Sequence, residues 1–493
     1  MKGGVDPVHP AGGRSGITAP SVAKAALCAW TRPLRPVVVD PGMRRDRRAV
    51  LGSIGTLLAA GCLGGQESPE GASGGSTPTA SEEPATTGST TGGSSTPEPT
   101  TEPTTEGTTG TGGNASVTPE SALAWQSSFD ADVSLGPAVA GDALYVGTAD
   151  GNLHAVEFDG TVRWRTEVGG SFYTGPGQDE SPIHADGTVY LASGEQTGGH
   201  GDDFAVHAVD AATGSRRWSS GEDYPSFLSL LAVAGGRVYT ATSDDALSGE
   251  GETLTAHDAA SGEALWTVEV GDAQAAGASD DAVAVADWGY LRVVDADGTV
   301  RWEDDELSEV APRAPVFAGG TVLVATDRSA NGLYALDPAT GDRRWSYTDT
   351  FVNSLVAGDR AYVGGETVAA YGFDGSQTWD AGIQAFVETL HDETLYCARF
   401  SEGGGGGAVA LSAADGTERW RHDVDAEIAE VVDADDAVAA VSLQGVPAVD
   451  GLDPSTGDRR FRLAGGDGRG PSDPSVHNGT TFVADGSTVS ALV

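Results

Sequence analysis

A pattern that ends in tryptophan recurs about every forty residues from Trp125 to the C-terminus. Its fullest copies are Ala335–Trp345, with the sequence ALDPATGDRRW, and Ala208–Trp218, with the sequence AVDAATGSRRW. A short run rich in Val, Tyr, Leu and Thr, such as Ala143–Thr148, precedes the pattern and is typical of a strand. Repeats of roughly 40–45 residues made of short strands predict a β-propeller, in which one small sheet per repeat packs against its neighbours.

The repeat supplies two turn residues and one docking residue. Asp337 can accept backbone hydrogen bonds as the chain reverses, and Gly341 can adopt a positive φ angle without a Cβ clash. Trp345 then offers a large apolar face for the gap between adjacent sheets. We therefore predict that one tryptophan per repeat docks neighbouring sheets, at Trp125, Trp164, Trp218, Trp266, Trp302, Trp345, Trp379 and Trp420. A looser copy of the pattern ends at Phe461.

The two ends of the repeat region carry incomplete repeats. Residues 122–126 form a strand pattern around Trp125 with no strands before it, and residues 481–492 form two strands with no tryptophan after them. Joining these halves would complete one sheet and close the ring without open edges. Nine repeat units can be counted, but eight is the common number for this repeat. The sequence predicts an all-β propeller of four-stranded blades, with eight blades favoured and nine as the alternative.

The consensus Ala-x-Asp-x-x-Thr-Gly-x-x-x-Trp resembles the repeat of the quinoprotein-dehydrogenase-like (PQQ-like repeat) propeller family. The resemblance covers residues 121–493 and implies the fold. Because this repeat occurs in enzymes and in binding scaffolds, the resemblance leaves the activity open. The chain also resembles the bacterial propeller lipoproteins that help to assemble outer-membrane barrels.

Residues 43–62 have the order of an export signal, with a basic start, a short apolar centre and small residues before Cys62. Arg47 and Arg48 resemble the twin-arginine motif, and the residues up to Cys62 resemble a lipobox. This resemblance implies a lipid on Cys62 and an extracytoplasmic domain anchored to the cell membrane. Residues 1–42 fit neither a signal nor a domain, so we predict that they are not translated and that Met43 is the start.

A stretch of Ser, Thr, Gly, Pro and Glu occupies residues 63–120. It contains no aromatic residue and cannot bury a core, so we predict a disordered stalk that precedes the propeller at residues 121–493. Two Asn-x-Ser/Thr sequons, at Asn114 and Asn478, are candidates for N-glycosylation in an exported protein.

The formal net charge is −44, and no lysine follows Lys24. This composition resembles that of proteins from salt-loving archaea, and it predicts an acidic, solvating surface. Nucleic-acid binding is disfavoured, because contact with a phosphate backbone needs a basic face. None of the acidic clusters has the spacing of a calcium-binding loop.

An enzyme with this fold would be a quinone-dependent alcohol or sugar dehydrogenase. The family resemblance implies that such an enzyme holds PQQ and calcium at the propeller axis. This chain lacks adjacent cysteines and a Cys-x-x-Cys-His haem motif, and Cys397 is expected to be a buried free thiol. Asp295, Asp337 and Asp453 lie in repeat turns, where a structural role is the stronger interpretation.

The histidines show no spacing typical of a zinc site. His154, His207 and His257 fall on strands, and His184, His391, His422 and His477 are scattered. Gly403–Gly407 is expected to be a flexible hairpin tip, because no Lys-Ser/Thr pair follows it.

The longest interruptions between repeats lie near residues 175–180 and 194–203. Loops of this kind gather at the mouths of a propeller, where these folds bind ligands. The nearby aromatic residues Phe172, Tyr173, Tyr224 and Phe227 can line a binding rim or, as we favour, fill gaps between blades.

These observations favour a monomeric, non-enzymatic scaffold, anchored to the membrane by lipid, that binds a protein, peptide or glycan at a mouth of the ring. No metal site, cofactor or catalytic residue is predicted for it. The alternative is the PQQ-type dehydrogenase, and a serine hydrolase at the mouth is a third hypothesis without a supporting motif.

The charge predicts that stability depends on salt. Repulsion among the acidic groups opposes compaction at low ionic strength, whereas at molar salt the Debye length falls to about 3 Å and most of that repulsion is screened. We expect the domain to lose its β signal in circular dichroism when salt is reduced to tens of millimolar. An unchanged spectrum at low salt would contradict the halophilic interpretation.

Overall fold

The structure is a computed structural model that describes the chain from residue 122 onward, with internal gaps. The described residues are 122–172, 182–197, 200–224, 227–243, 253–270, 273, 275–286, 291–305, 307, 314–326, 332–348, 351–400, 406–424, 428–434, 437–442, 448–464 and 474–493. Within these ranges no helix has the length and apolar character needed to cross a bilayer.

The described secondary structure consists of short β-strands, numbered here in chain order. The strands up to residue 224 are β1 (Leu123–Ser128), β2 (Val133–Ala140), β3 (Ala143–Thr148), β4 (Asn152–Val156), β5 (Val162–Glu167), β6 (Ser171–Phe172), β7 (Ile183–Ala185), β8 (Thr188–Thr197), β9 (His200–Asp210) and β10 (Arg216–Tyr224). The next are β11 (Phe227–Ala234), β12 (Arg237–Ser243), β13 (Thr253–Asp258), β14 (Ala264–Glu269), β15 (Ala275–Ala278), β16 (Ala282–Ala286), β17 (Leu291–Asp295), β18 (Val300–Asp304), β19 (Val316–Ala318), β20 (Thr321–Thr326), β21 (Gly332–Leu336) and β22 (Arg343–Thr348).

The remaining strands, from residue 352 onward, are also short. They are β23 (Val352–Ala357), β24 (Ala361–Gly365), β25 (Ala369–Tyr371), β26 (Gln377–Asp380), β27 (Ala385–His391), β28 (Thr394–Phe400), β29 (Gly406–Ser412), β30 (Glu418–Val424), β31 (Ile428–Ala434), β32 (Ala437–Ser442), β33 (Ala448–Leu452), β34 (Arg459–Ala464), β35 (Ser475–His477), β36 (Thr480–Asp485) and β37 (Thr488–Leu492).

Neighbouring strands pair antiparallel and build four-stranded units in sequence order, from β2–β5 as unit 1 to β31–β34 as unit 8. In unit 2 the first position is shared by β6 and β7, which both pair with β8. The first strands of neighbouring units contact each other at most steps around the ring, so they are the inner strands. The all-β propeller predicted from the repeat is confirmed.

The last unit combines both ends of the repeat region, as the incomplete repeats predicted. Its strand order is β35, β36, β37 and β1, with β1 outermost. Trp125 lies opposite Ala491 in this pairing, and the Val493 N–H donates to the Ala122 carbonyl at 2.8 Å. The N-terminal strand therefore closes the ring.

The number of units differs from the eight that the sequence favoured. Among the described residues the strands form nine four-stranded units, but only eight separate hydrogen-bonded sheets. The difference arises because units 6 and 7 share one sheet, through the pairing of Gly365 with Ala385. The preference for eight rested on what is common for the repeat, whereas the strands themselves give the nine units counted in the sequence.

The core lies between the units and not inside any one of them. Every residue of the second strand of unit 1, β3, is buried, because both faces of the sheet are covered by neighbouring units. Its outermost strand, β5, alternates between exposed and half-buried residues. Tyr145 of unit 1 and Leu191 of unit 2 belong to the same apolar cluster, which spans the gap between their sheets. A single unit cannot bury both of its faces, so ring closure supplies the core.

Each docking tryptophan lies on the outermost strand of one unit and contacts the next unit. Its indole N–H donates to a backbone carbonyl in the third turn of that next unit, at 2.7–3.1 Å. The pairs are Trp125 with Phe158, Trp164 with Ala211, Trp218 with Ala259, Trp266 with Ala296, Trp302 with Pro338, Trp345 with Phe373, Trp379 with Ala413 and Trp420 with Pro454.

The glycine of the same turn forms the platform beneath the indole. A Cβ atom added to Gly341 would lie 2.8 Å from the Trp302 ring, and the equivalent glycines leave gaps of 2.5–2.8 Å. Gly341 also has a φ of +77°, which L side chains rarely adopt. The glycine is therefore required twice, by its own backbone conformation and by the tryptophan of the preceding unit.

The junction between units 8 and 9 departs from this arrangement. Phe461 replaces the tryptophan there and cannot donate a hydrogen bond. Its ring is 2% exposed and packs with Val476, Val483 and Leu492 of unit 9. This junction thus relies on apolar contact from its aromatic residue.

We predict that Gly341→Ala destabilises the domain more than Gly236→Ala. Both glycines have positive φ, at +77° and +73°, so both substitutions carry a backbone cost of about 1–2 kcal/mol. Only Gly341 lies against a ring, whereas nothing lies within 4 Å of a Cβ on Gly236. We expect about 1–3 kcal/mol of further loss for Gly341→Ala from overpacking. Denaturant titration at high salt measures the free energy of unfolding, and equal losses for both variants would refute the platform role.

Candidate functional site

Unit 2 carries a hairpin that extends beyond the regular ring. Its middle strands β8 and β9 have 10 and 11 residues, whereas the corresponding strands of unit 1 have 6 and 5. The extension pairs Glu195 with Asp202, Gln196 with Gly201, and Thr197 with His200. We call residues 195–197 and 200–202 the projecting hairpin. The sequence had marked residues 194–203 as an interruption between repeats, and the structure shows that its described residues continue the sheet.

Tight packing fixes the base of the projecting hairpin. Gly194 lies against Phe204, where an added Cβ would be 2.4 Å from the ring. Phe204 itself is fully buried. On the other side, β6 pairs Ser171 with Gly194 and Phe172 with Ser193. The base of the hairpin is therefore held by a packed aromatic ring and by strand pairing.

Both backbone edges of the projecting hairpin lack a neighbouring strand in the described ranges. Strand β10 pairs with β9 only as far as Phe204, and β6 pairs with β8 only as far as Gly194. The described residues thus place no strand against the outer sides of residues 195–197 and 200–202. Such edges are templates for pairing with another chain.

The aromatic residues near this end of the ring are only partly described. Phe172 packs with the apolar cluster between units 1 and 2 and lies against Gly147. It therefore fills a gap between blades, the role that the sequence analysis favoured. Tyr224 pairs through its backbone with Phe204. The side chains of Tyr224 and Phe227, and the whole of Tyr173, lie outside the described part of the chain.

A buried histidine lies in the body of unit 2, under the base of the projecting hairpin. His207 is 2% exposed, and its ring nitrogens lie 2.8 Å from the Ser193 hydroxyl and 2.7 Å from the Ser219 hydroxyl. Burial, with a smaller contribution from the charge of Arg216, lowers the pKa of His207 to about 4. The ring is therefore neutral near pH 7, and its two serine contacts join strands β8, β9 and β10 of the unit.

The other histidines are dispersed over several units. Burial also lowers the pKa of His154 and of His257, which contact Thr148 and Thr240. His422 lies 3.3 Å from the buried Asp450, which Arg462 also binds. Three more lie against local neighbours, namely His184 on Tyr145, His391 beside Asp392 and His477 on Phe158. Nowhere among the described residues do three or more His, Cys, Asp or Glu side chains form a group that could hold a metal ion.

The turn aspartates are engaged in structural contacts. Asp337 accepts the N–H groups of Ala339 and Thr340 and binds Arg344. The contact with Arg344 is the main cause that holds the pKa of Asp337 below its usual value. The same set of contacts, led by a hydrogen bond from Ser455, lowers the pKa of Asp453 to about 2. Asp295 accepts a hydrogen bond from Arg301 at 2.6 Å.

The remaining predicted residues fall into two groups. Cys397 is fully buried, and burial raises the pKa of its thiol, with a smaller contribution from the charge of Glu388, so the thiolate nucleophile does not form near neutral pH. Asn478 is exposed at the turn between β35 and β36, with a φ of +46°. Gly406 and Gly407 begin β29, while Gly403–Gly405, Arg47, Arg48, Cys62 and Asn114 lie outside the described residues.

The buried imidazole of His207 predicts a loss of stability in mild acid. Its folded pKa of about 4 lies below the ordinary value of 6.5, so the unfolded chain takes up the proton first. The stability is complete above about pH 6.5 and falls as the pH drops toward 4, by about 2 kcal/mol at pH 5. We expect the difference in unfolding free energy between pH 7 and pH 5 to shrink in His207→Gln, measured by denaturant titration. The same difference in wild type and His207→Gln would disprove this assignment.

Comparison with curated proteins identifies two relatives that share part of the chain. The serine/threonine-protein kinase AfsK of Streptomyces coelicolor is 33% identical over 200 residues, which are 38% of this chain and 20% of the kinase. The outer membrane protein assembly factor BamB of Bordetella pertussis is 28% identical over 216 residues, or 42% of this chain and 48% of that protein. The match thus spans about half or less of each relative.

Among solved structures, BamB from Moraxella catarrhalis is similar with a TM-score of 0.43 and 16% identity, covering 75% of this chain and 98% of that one. The PQQ-like repeat family described as outer membrane protein assembly factor BamB matches residues 115–249, 202–357, 250–389 and 364–493. These matches take in every one of the nine units, and the chain belongs to this family.

Proposed function

We propose that this protein is a lipid-anchored, extracytoplasmic scaffold that binds a partner protein through the projecting hairpin of unit 2. The observation that carries the proposal is the extension of β8 and β9 beyond an otherwise regular ring, with both outer edges unpaired in the described residues. A rigid edge of this kind accepts an extended segment of another chain as an additional strand.

Membership of the family supports a role in assembly. The family and the Bordetella relative are both named as outer membrane protein assembly factors. The kinase relative carries a different name and shares only 20% of its length with this chain. A repeat that occurs both in an assembly factor and in a kinase fits a binding module better than a catalytic one, since function depends on sites added to a fold.

The composition narrows the kind of segment that fits. Residues 195–203 include Glu195, Asp202 and Asp203 and no Lys or Arg. A partner strand that carries Lys or Arg would therefore be complementary in charge to the hairpin. A peptide partner would use the same edge, whereas a glycan would need side-chain contacts in place of strand pairing.

We predict that shortening the hairpin abolishes partner capture and leaves the ring intact. Replacing residues 196–201 with Asn-Gly keeps the Glu195–Asp202 pair and closes it with a two-residue turn suited to the twist of the strands. Pull-down at high salt with cross-linking and mass spectrometry should recover the partner with wild type and lose it with this variant. The circular dichroism spectrum and melting temperature should be unchanged.

The matched control shortens a different hairpin in the same way. Replacing residues 401–405 with Asn-Gly joins the Phe400–Gly406 pair of unit 7, which lies five units away along the chain. This variant should still capture the partner. Capture by the unit 2 variant, or loss by both variants alike, would contradict the proposed site.

The anchor is tested separately from the hairpin. Cys62→Ser removes the thiol that would carry the lipid, so the variant should move from the membrane fraction to the soluble fraction. Cys28→Ser, in the segment that we propose is not translated, should leave the distribution unchanged. Intact mass of the purified protein reports both the lipid and the true N-terminus. Retention of Cys62→Ser on membranes would rule out the anchor.

No observation on the described residues specifically favours the dehydrogenase alternative. Calcium prefers six to eight oxygen ligands, and no group of three or more acidic or histidine side chains is found in the described ranges. We therefore derive no reaction through PQQ or calcium.

A further inference from the structure

The turn between β35 and β36 in unit 9 presents a sequon on the surface of the folded ring. His477 pairs with Thr480 across this turn, and the two residues between them, Asn478 and Gly479, have φ angles of +46° and +75°. A tight hairpin turn with positive φ at both central residues is one for which Asn-Gly is well suited. Asn478 is exposed and Thr480 is partly exposed. Both residues that the Asn-x-Ser/Thr motif requires therefore reach solvent.

The backbone of this turn does not itself require an asparagine. The equivalent turn of unit 2 has nearly the same conformation, with Asp186 and Gly187 at φ angles of +47° and +69°. The residue after that turn differs in environment, because Thr188 is 1% exposed and its hydroxyl accepts a hydrogen bond from Arg217. Turn geometry alone therefore does not explain why unit 9 has an amide in place of the carboxylate.

A stacked histidine holds the amide of the sequon against the neighbouring unit. His477 stacks on Phe158 of unit 1, with ring centroids 4.1 Å apart. Nδ2 of Asn478 donates to Nε2 of His477 at 2.7 Å. The amide nitrogen is thus held at the surface of the junction between units 9 and 1, where the ring closes.

The sequon and the projecting hairpin lie on opposite faces of the ring. At the base of the hairpin, a Cβ on Gly170 would lie 3.0 Å from the Gly194 backbone, and a Cβ on Gly151 would lie 2.9 Å from the Gly170 carbonyl. Gly151 directly precedes β4 of unit 1, whereas Phe158, which contacts the sequon turn, follows that strand. The five residues of β4 span about 17 Å, at a rise of about 3.4 Å per residue. The two features are therefore separated by the height of the sheet.

We infer that Asn478 carries an N-linked glycan in the exported protein. A glycan is bulky and hydrophilic. On this face it covers the turns at the junction of units 9 and 1 and leaves the projecting hairpin free for its partner. The inference rests on the export that the proposed function includes, because sequons are modified in secreted proteins.

The transfer needs a lipid-linked oligosaccharide phosphate as the sugar donor. The Asn478 nitrogen forms a bond to the anomeric carbon of the sugar, the bond from that carbon to the phosphate oxygen breaks, and the lipid phosphate leaves with the electron pair. One amide proton passes to a base of the transferase, and nothing is oxidised or reduced. The amide keeps its second N–H, so a donor to His477 remains after modification.

Peptide mapping by mass spectrometry tests the site, with full-length protein purified at high salt from the cells that naturally produce it. We expect the peptide that contains Asn478 to carry a mass increment of whole sugar residues. Asn478→Asp should abolish the increment and preserve the turn, because Asp186 adopts the same conformation in unit 2. Thr480→Val should also abolish it, whereas Thr480→Ser, which keeps the motif, should retain it. Circular dichroism at high salt checks that all three variants are folded.

The possible results separate this site from the anchor and from partner binding. If membrane-bound protein with a lipid on Cys62 has no sugar at Asn478, or has sugar only at Asn114, the site is refuted and the anchor stands. Sugar that persists in Thr480→Val would refute the sequon as its cause. Protein that stays in the cytoplasm without lipid or sugar would refute export, and this inference with it.

Partner capture reports on the placement of the glycan. Because the sequon lies on the face opposite the projecting hairpin, Asn478→Asp should capture the partner as well as wild type does in the same pull-down. A change in capture on loss of the sugar would overturn the separation of the glycan from the binding edge.

Discussion

The docking of an indole ring on the turn of the next unit is the interaction on which the whole ring depends. The ring of Trp302 lies on Gly341 and its N–H reaches the Pro338 carbonyl, so one contact combines apolar burial with a directed hydrogen bond. Eight junctions repeat this arrangement. Because each sheet is buried by its neighbours, a unit gains its stability only in the ring.

The few arginines of this acidic chain have a structural role in the turns that receive the indole rings. In several units the arginine before the docking tryptophan binds the aspartate or glutamate of its own turn, for example Arg344 with Asp337 and Arg217 with Asp210. These pairs are partly exposed, and such pairs contribute little individually. Their effect is to order the turn that receives the indole, in a chain whose 72 acidic residues far outnumber its 28 Lys and Arg residues.

Much of the fold could be predicted because its determinants are local and repeated. The spacing of Asp337, Gly341 and Trp345 predicted the turns and the docking residues, and the two incomplete repeats predicted closure by the N-terminal strand. The second requirement for Gly341 could not be predicted from one repeat, since the ring that covers it comes from Trp302 of the preceding unit. The nine units counted in the sequence match the nine units that the described strands form, and the preference for eight came only from what is common for this repeat.

The candidate sites were the least predictable part. Residues 194–203 break the repeat, which marks them as unusual. Their small and polar residue types did not reveal that residues 195–197 extend β8 and residues 200–202 extend β9. Phe204 and Gly194, which support that extension, carry no motif. The burial of Asn353 and Glu388 was not predicted, because they are ordinary polar residues in sequence and become notable only through burial and the bulges in their strands.

The sequence by itself determined the repeat, the turn chemistry, the docking aromatic residues and the acidic character, since each follows from residue type and spacing along the chain. The tertiary structure alone decided the shared sheet of units 6 and 7, the platform beneath each indole and the projecting hairpin. The first two features join residues from different units, which come into contact only when one unit packs against the next. The hairpin depends on a continued strand pairing that no motif records.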